Sequence, residues 1–210
     1  MKRTLLTALT LLTASAQAGV TIYQHGNYGG AAKYIASGEM IDGLKENNVF
    51  DNDAISSLKV ESGTCVVLYQ NSGYGSTAKY FSAGNYADLG QYSFNDQASS
   101  IQVFQHYRCD SEIMTHFYFD ANYNSIAFAL PPNGLHRDLG TGNWNIRKGR
   151  LEHANDYISS VRVGSGSCVY LYEHNHFEGA FKKFGSNVPD LVPHNFNDIT
   201  TSVRVEDGPC

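Results

Sequence analysis

Asn52-Asp53-Ala54-Ile55-Ser56-Ser57 occurs four times in this chain with small changes. The other copies are Asn95-Asp96-Gln97-Ala98-Ser99-Ser100, Asn155-Asp156-Tyr157-Ile158-Ser159-Ser160 and Asn197-Asp198-Ile199-Thr200-Thr201-Ser202. Each copy leads into three residues in which two apolar side chains flank a charged or polar one, at 58–60, 101–103, 161–163 and 203–205. This alternation is typical of a β-strand with one buried face. We therefore predict a repeated unit that ends in a strand.

A second phrase lies upstream of each copy and places two aromatic residues five positions apart. Its copies occupy residues 23–30, 69–76, 118–125 and 172–179. Gly, Asn and Ser stand between and after the rings, and residues that adopt positive φ at low cost favour a tight hairpin. Another strand follows each hairpin, at 31–35, 77–81, 126–130 and 180–184. The predicted unit is therefore strand, hairpin, strand, loop, Asn-Asp turn and strand.

The first eighteen residues have the features of a secretory signal peptide. Lys2 and Arg3 precede an apolar run over residues 5–12, and Ala16-Gln17-Ala18 has the small side chains that signal peptidase selects. We predict a signal peptide over residues 1–18 and a secreted or periplasmic protein. No other stretch approaches the roughly 20 apolar residues that a membrane-spanning helix needs, so we predict no membrane span.

The charge of the chain bears on its partners. The formal net charge at pH 7 is −5, and it becomes −7 when Lys2 and Arg3 are removed with the signal peptide. A modest acidic excess argues against nucleic-acid binding and is compatible with cation binding. The 210 residues are enough for about two domains, each with its own core.

Four cysteines fit an exported protein and follow the duplication of the chain. Cys65 and Cys168 lie in nearly identical segments, and Cys109 and Cys210 each follow the closing strand of a pair of repeats. Four cysteines allow three pairings. The duplication favours the pairing that treats both halves alike, Cys65 with Cys109 and Cys168 with Cys210.

With both phrases in place, the chain resembles the βγ-crystallins, and in particular their microbial calcium-binding members. The resemblance covers nearly all of residues 19–210 and implies an all-β fold with two βγ-crystallin-like domains, 19–109 and 110–210. Each domain would be a sandwich of two antiparallel Greek-key sheets. Two departures exist. Ser76 and Ser125 stand where the hairpin glycines Gly30 and Gly179 stand in the other motifs, which predicts distorted hairpins there, and motif three has a longer loop over residues 131–154.

The resemblance also implies calcium sites in which the two motifs of a domain exchange ligands. A site takes a hairpin carbonyl, a turn carbonyl and a hydroxyl from one motif, and an aspartate from the partner motif. Carried over by position, site 1 consists of Gln24, Ala54, Ser56 and Asp96; site 2 of Gln70, Gln97, Ser99 and Asp53; site 3 of Phe119, Tyr157, Ser159 and Asp198; and site 4 of Glu173, Ile199, Thr201 and Asp156.

Elementary chemistry agrees with Ca²⁺ as the ion. Calcium takes six to eight oxygen ligands and tolerates irregular geometry, so carboxylate, hydroxyl, carbonyl and water can share a site. One carboxylate per site predicts modest affinity, in the micromolar to millimolar range. The leading Asn and the trailing Ser of each phrase are interpreted as braces of the turn. The alternative is that the whole phrase is only an Asx-type turn whose side chains cap local amides.

No catalytic constellation is evident, so we predict a non-enzymatic protein. No Gly-x-Ser-x-Gly elbow and no His-Glu-x-x-His motif occurs. The preferred hypothesis is a calcium-binding protein stabilised by the ion and by disulfides, with an envelope or surface role. One alternative is a protease inhibitor that uses the loop around Trp144, and another is a carbohydrate-binding or surface-binding module that uses exposed Tyr and Trp side chains.

Overall fold

The structure is a computed structural model that describes residues 18–140, 145–147, 150–152 and 154–210. The predicted signal peptide therefore lies outside the described residues, apart from its last position. The strands of the first half are β1 (Gly19–His25), β2 (Gly29–Ala36), β3 (Met40–Ile41), β4 (Ser57–Val60), β5 (Thr64–Asn71), β6 (Gly75–Phe81), β7 (Gly84–Tyr86) and β8 (Ser100–Gln105). Those of the second half are β9 (Thr115–Asp120), β10 (Asn124–Leu130), β11 (Leu135–His136), β12 (Asn145–Arg147), β13 (Arg150–Glu152), β14 (Ser160–Arg162), β15 (Ser167–Tyr172), β16 (Phe181–Phe184) and β17 (Ser202–Asp207).

Two antiparallel sheets form the first domain, and its two motifs exchange their third strands. Sheet 1 has the order β2-β1-β4-β7 and sheet 2 the order β3-β8-β5-β6. Strand β3 belongs to motif one in sequence but pairs with β8 of motif two, and β7 of motif two pairs with β4 of motif one. This exchange is the Greek-key arrangement that the repeats predict, and it ties the two motifs into one unit.

The second domain repeats this plan. Sheet 3 has the order β10-β9-β14, and sheet 4 has the order β11-β17-β15-β16. Strand β11 of motif three crosses to β17 of motif four, and Val188 of motif four forms a bridge with Val161 of β14. The predicted fold class, all-β with two crystallin-like domains of two Greek-key sheets each, is confirmed.

Short elements complete the fold. Single 3-10 turns lie at Gly26–Tyr28, Leu89–Tyr92, Ala121–Tyr123, Asn175–Phe177 and Val192–His194. The long loop of motif three contains a two-stranded hairpin, β12 with β13, which the sequence analysis did not predict. No helix in the described part of the chain is both long enough and apolar enough to cross a membrane.

The disulfide pairing predicted from the duplication is confirmed. Cys65 is bonded to Cys109 and Cys168 to Cys210, with Cα–Cα distances of 5.0 Å and 4.9 Å. Each bond joins the first residues of a central strand, β5 or β15, to the chain that follows the last strand of the same domain. Because the closed loops are similar in length, each domain gains a comparable restriction of its unfolded state.

Strand β5 is buried on both faces, and this places the second domain against the first. Val66 and Leu68 point into the core between sheets 1 and 2. Val67 and Tyr69 point to the opposite face and pack in one continuous hydrophobic cluster with Phe117 and other residues of the second domain. Successive side chains of a strand point to opposite faces, so β5 serves the core of its own domain and the contact between domains.

Two side-chain hydrogen bonds lie at the domain contact. The Tyr80 hydroxyl of β6 lies 2.7 Å from the Nε2 atom of His116 of β9. The Tyr69 hydroxyl donates to the Oε1 atom of Gln102 at 2.6 Å. Burial, with a smaller contribution from the positive charge of Arg162, lowers the pKa of His116 to about 4. The imidazole is therefore neutral in the folded protein near pH 7.

The buried imidazole predicts loss of stability in acid. The unfolded chain protonates this ring near its ordinary pKa of 6.5, whereas the folded chain resists protonation until about pH 4, so the unfolded state binds more protons between these values. We expect the His116 contribution to lower the free energy of unfolding by about 3 kcal/mol as the pH falls through this range. Burial also lowers the pKa of His136 to about 4, so it adds a second contribution.

Urea unfolding of the wild type and of His116→Gln at neutral pH and near pH 4 measures this effect. Glutamine keeps an acceptor for the Tyr80 hydroxyl but does not titrate, so the variant should lose about half of the acid sensitivity. The control is His194→Gln, at an exposed position, which should keep the wild-type pH dependence. An unchanged pH dependence in His116→Gln would show that the imidazole is not the acid-sensitive group.

Candidate metal centres

The aspartates of the four repeated turns share one backbone conformation. Their φ angles are positive, at 51° for Asp53, 51° for Asp96, 57° for Asp156 and 53° for Asp198. Asp and Asn are the residues other than Gly that enter this left-handed region at low cost, because a short polar side chain can bond locally. The repeated Asp therefore has a backbone role in the turn as well as a side-chain role.

Within each domain the two turns bond to each other reciprocally. The Asp53 amide donates to the Ala98 carbonyl at 3.1 Å, and the Asp96 amide donates to the Ile55 carbonyl at 3.1 Å. The second domain has the same pair, from Asp156 to Thr200 at 3.0 Å and from Asp198 to Ile158 at 3.2 Å. This pairing carries each carboxylate across to the hydroxyl of the partner motif.

The last serine of each phrase braces the hairpin of its own motif. The Ser57 hydroxyl donates to the His25 carbonyl at 2.6 Å and accepts from the Tyr28 amide at 3.0 Å. Ser100, Ser160 and Ser202 make the same pair of bonds in the other motifs. These four serines are fully buried. The prediction that the trailing serine braces the turn is confirmed.

The preceding hydroxyl meets the oxygens of the predicted sites. At site 1 the Ser56 Oγ atom lies 2.7 Å from the Gln24 carbonyl oxygen and 2.7 Å from the Asp96 Oδ1 atom. At site 2 the Ser99 Oγ atom lies 2.7 Å from the Gln70 carbonyl oxygen and 3.1 Å from the Asp53 Oδ1 atom. A hydroxyl has one proton, so it can donate to only one of its two acceptors at a time.

The second domain brings together the same hydroxyls and carboxylates. Ser159 donates to the Oδ1 atom of Asp198 at 2.9 Å in site 3, and Thr201 donates to the Oδ1 atom of Asp156 at 3.3 Å in site 4. Burial raises the pKa of Asp156, hydrogen bonds from Thr201 and Asn155 oppose the rise, and the nearby charge of Asp198 adds to it. Negative charge thus gathers where the turns of this domain meet.

Sites 1 and 2 border open clefts. All four predicted residues of site 2 line a cleft of about 850 Å³ between the domains, and Phe119 of site 3 lines it too. Gln24 and Ala54 of site 1 line a second cleft of about 450 Å³. The four carboxylates are exposed, whereas the hydroxyls of Ser56, Ser99 and Ser159 belong to buried residues. An ion could therefore reach each carboxylate from solvent and contact the hydroxyl beneath it.

The donor set fits a hard cation. Each site has one carboxylate and otherwise hydroxyl and carbonyl oxygens, which suit Ca²⁺ and similar ions. Within the described residues, no three His, Cys, Asp or Glu side chains are grouped so that they could hold a metal ion. Asn95 and Asn155, from two of the leading positions, each donate at 2.7 Å to the Oδ2 atom of the following Asp and so orient the carboxylate, as predicted for a turn brace.

The expectation of distorted hairpins in motifs two and three is wrong. The residue two positions after the second aromatic of each hairpin has positive φ in every motif, at 73° for Gly30, 66° for Ser76, 55° for Ser125 and 77° for Gly179. Ser76 donates to the Gln70 side chain at 3.1 Å, and Ser125 donates to the Asp120 carboxylate at 2.6 Å. These local bonds allow serine to hold a conformation that glycine adopts without them.

A neighbouring position explains where glycine is needed. A Cβ atom on Gly30 would lie 2.7 Å from the His25 ring, and one on Gly179 would lie 2.8 Å from the His174 ring. The motifs with serine have Asn71 and Asp120 at the position of these histidines. Glycine thus occurs in the motifs that have a bulky imidazole at this neighbouring position, and serine occurs in the motifs that have a shorter side chain there.

One carboxylate beside the sites was not predicted, and one predicted candidate is not described. The sequence analysis missed Asp120, a hairpin carboxylate that lines the large cleft beside Phe119. Its signal was the acidic residue at a hairpin position where the other motifs have His or Asn. Trp144, on which the protease-inhibitor alternative depends, lies outside the described residues.

Comparison with known proteins agrees with the fold. Residues 19–104 match the family model described as Beta/Gamma crystallin. Spherulin-3A from Physarum polycephalum is 36% identical over 53 residues, which span 24% of this chain and 52% of the relative. Epidermal differentiation-specific protein from Cynops pyrrhogaster is 44% identical over 41 residues, which span 20% of this chain and 12% of the relative. The chain thus spans about half, or less, of the curated relatives it matches.

Two solved structures are also similar. A betagamma-crystallin domain from Clostridium beijerinckii is 30% identical, with a TM-score of 0.38, and the match covers 41% of this chain and 98% of that domain. The N-terminal domain of protein S is 28% identical, with a TM-score of 0.38, and the match covers 42% of this chain and 97% of that domain. By the family match, residues 19–104 form a beta/gamma-crystallin domain.

The contact between Gly30 and His25 predicts a coupled pair of substitutions. Gly30→Ser should lower the free energy of unfolding by about 2 kcal/mol, because a side chain at positive φ is strained and its Cβ atom would meet the His25 ring. His25→Asn with Gly30→Ser reproduces the pair found as Asn71 and Ser76 and should recover much of this loss. Thermal or urea unfolding of both single variants and the double variant measures the coupling. Purely additive effects would contradict it.

Proposed function

We propose that this protein is a secreted or periplasmic, non-enzymatic calcium-binding protein whose ions lie between the paired turns of each domain. The observation that carries the proposal is the arrangement at Ser56. Its oxygen lies 2.7 Å from both the Gln24 carbonyl oxygen and the Asp96 carboxylate, and a single proton cannot satisfy both acceptors. A cation among these oxygens satisfies all three atoms at once.

The proposed ligands come from both motifs of a domain. The Gln24 and Ala54 carbonyls, the Ser56 hydroxyl and the Asp96 carboxylate form site 1, and sites 2 to 4 use the corresponding residues. Four protein oxygens leave two to four positions for water, which is within the range that Ca²⁺ accepts. Mg²⁺ demands a more regular octahedron and releases its water reluctantly, so these irregular sites should favour Ca²⁺.

Calcium is proposed to stabilise the fold by joining the two motifs. An ion at site 1 contacts a hairpin and turn of motif one and the Asp96 turn of motif two, so it reinforces the bond between the Asp96 amide and the Ile55 carbonyl. An ion that binds only the folded state stabilises it by about 2.7 kcal/mol per site at a hundredfold excess over the dissociation constant. The nearby carboxylates of Asp156 and Asp198 would also repel each other less.

The proposed location rests on two features. The first residues have the basic, apolar and small-residue regions of a signal peptide. Both disulfides, Cys65–Cys109 and Cys168–Cys210, are of the kind that persists in oxidising compartments. Extracellular or periplasmic calcium concentrations also suit sites of micromolar to millimolar affinity.

Calorimetric titration of the metal-stripped protein with Ca²⁺ tests the proposal, with Mg²⁺ as the comparison ion. We expect calcium to bind with micromolar to millimolar affinity and to raise the melting temperature, and Mg²⁺ to have a much smaller effect. Absence of both heat and stabilisation with Ca²⁺ would refute the proposal and leave the repeated phrase as a structural turn.

Ser56→Ala and Ser57→Ala are matched variants at adjacent positions. Ser56→Ala removes a proposed ligand, so it should abolish binding at one site while the metal-free protein keeps most of its stability. Ser57→Ala leaves the His25 carbonyl and the Tyr28 amide without their buried partner, so it should cost about 1–3 kcal/mol while the number of bound ions is unchanged. Equal calcium binding by wild type and Ser56→Ala would exclude the Ser56 hydroxyl as a ligand.

A further inference from the structure

The outer face of sheet 2 is covered within the chain. Val67 and Tyr69 of β5 occupy this face and pack in the cluster that includes second-domain residues, and Tyr80 of β6 reaches His116 of β9. Strand β6 lies against β10. The outer face of sheet 2 therefore packs on the outer face of sheet 3, which includes His116.

Sheet 4 is the counterpart of sheet 2 in the second domain, and its outer face is open in the part of the chain that the structure describes. Because Cys168 corresponds to Cys65, Tyr170 and Tyr172 stand where Val67 and Tyr69 stand. Phe181, paired with Tyr172 across the strands, is 54% exposed, and Leu135, paired with Arg204, is 43% exposed. The rings of Tyr170, Tyr172 and Phe181 have centroids 5.7–6.3 Å apart and form one aromatic cluster, in which Tyr172 is buried, Tyr170 is half-buried and Phe181 is exposed.

Sheet 1 is the counterpart of sheet 3, and its outer face is open too. Thr21 and Tyr23 of β1 correspond to His116 and Tyr118 of β9. Tyr34, paired with Thr21 across the strands, is 44% exposed. The β2 edge is exposed over most of its length. Among the described residues, the outer faces of sheets 1 and 4 are thus uncovered, whereas the outer faces of their counterparts, sheets 3 and 2, pack together.

Both faces combine charged and aromatic side chains. The sheet 4 face carries Lys183 and the ion pair of Arg204 with Glu206, at 2.9 Å. The sheet 1 face carries Glu61, which accepts from the Tyr34 hydroxyl at 3.3 Å, and Lys59, which lies over the Tyr28 ring at 4.4 Å. Each face therefore offers a carboxylate, at least one cation and tyrosine rings, and Tyr and Arg are enriched in protein interfaces.

We propose that the sheet 4 face of one molecule binds the sheet 1 face of a second copy of this chain, head to tail. This contact between two molecules has the same arrangement as the packing of sheet 2 on sheet 3 within one molecule. Such an interface is heterologous, so it leaves a free face at each end of the pair and can extend to longer chains. The proposal does not require calcium, because the side chains it uses on the two faces are not proposed calcium ligands.

Analytical ultracentrifugation of the full mature chain over a wide concentration range tests the proposal. The wild type should show a weight-average mass that increases with concentration. Phe181→Lys places a cation beside Lys183 and Arg204. Tyr34→Lys removes the tyrosine ring and its hydrogen bond to Glu61. Each variant should remain monomeric at concentrations at which the wild type associates. Both positions are exposed, so the melting temperatures of the two variants should stay near the wild-type value. The control is Val192→Ser, at an exposed position that lies on neither face, and it should associate like the wild type.

Mixing the two variants provides the decisive measurement. The Tyr34→Lys protein keeps its sheet 4 face and the Phe181→Lys protein keeps its sheet 1 face, so an equimolar mixture should form a dimer that does not grow further. Association of Tyr34→Lys alone would overturn the head-to-tail arrangement in favour of sheet 4 meeting itself. A wild-type protein that stays monomeric at millimolar concentration would overturn the proposal. Binding of a glycan at the Phe181 face without any self-association would also overturn it.

Discussion

The reciprocal hydrogen bonds between the two Asn-Asp turns of a domain are the constraint on which the rest depends. The Asp53 and Asp96 amides each bond to a carbonyl of the partner turn, and both aspartates hold a left-handed conformation to do so. Through this contact a carboxylate of one motif reaches the hydroxyl of the other, at Ser56 and Ser99. The same contact thus joins the two Greek keys and gathers the oxygens of the proposed ion sites.

The two adjacent hydroxyls of each phrase have separate tasks, which explains why the sequence repeats both. Ser57 is fully buried and satisfies a carbonyl and an amide of the hairpin, so its contribution is to stability. Ser56 faces a carbonyl and a carboxylate with a single proton, so its environment favours a cation. The fold keeps these environments apart because neighbouring side chains at the start of a strand point in opposite directions.

The duplication makes the two domains alike in plan and different in surroundings. Sheet 2 presents Val67 and Tyr69 to the second domain, whereas sheet 4 presents Tyr170 and Phe181 at the corresponding face. The buried contact accepts a neutral imidazole, whose pKa burial lowers to about 4, and the open face carries Arg204, Glu206 and Lys183. The covered face is therefore mainly apolar, whereas the corresponding uncovered face combines aromatic and charged side chains.

Local sequence determined the strands of the four repeats, the hairpins and the disulfide pairing, because period-two patterning and turn chemistry act over a few residues and four repeats reveal the symmetry. The partnership of Ser56 with Asp96 came from the resemblance to the βγ-crystallins. Local sequence failed at Ser76 and Ser125, where hydrogen bonds to Gln70 and Asp120 offset the cost of positive φ. Only the tertiary structure decided that Tyr80 meets His116, that β5 is buried on both faces, and that Asp120 borders the cleft with site 2. Those contacts join residues far apart in sequence, and alternation along a strand does not state what covers its second face.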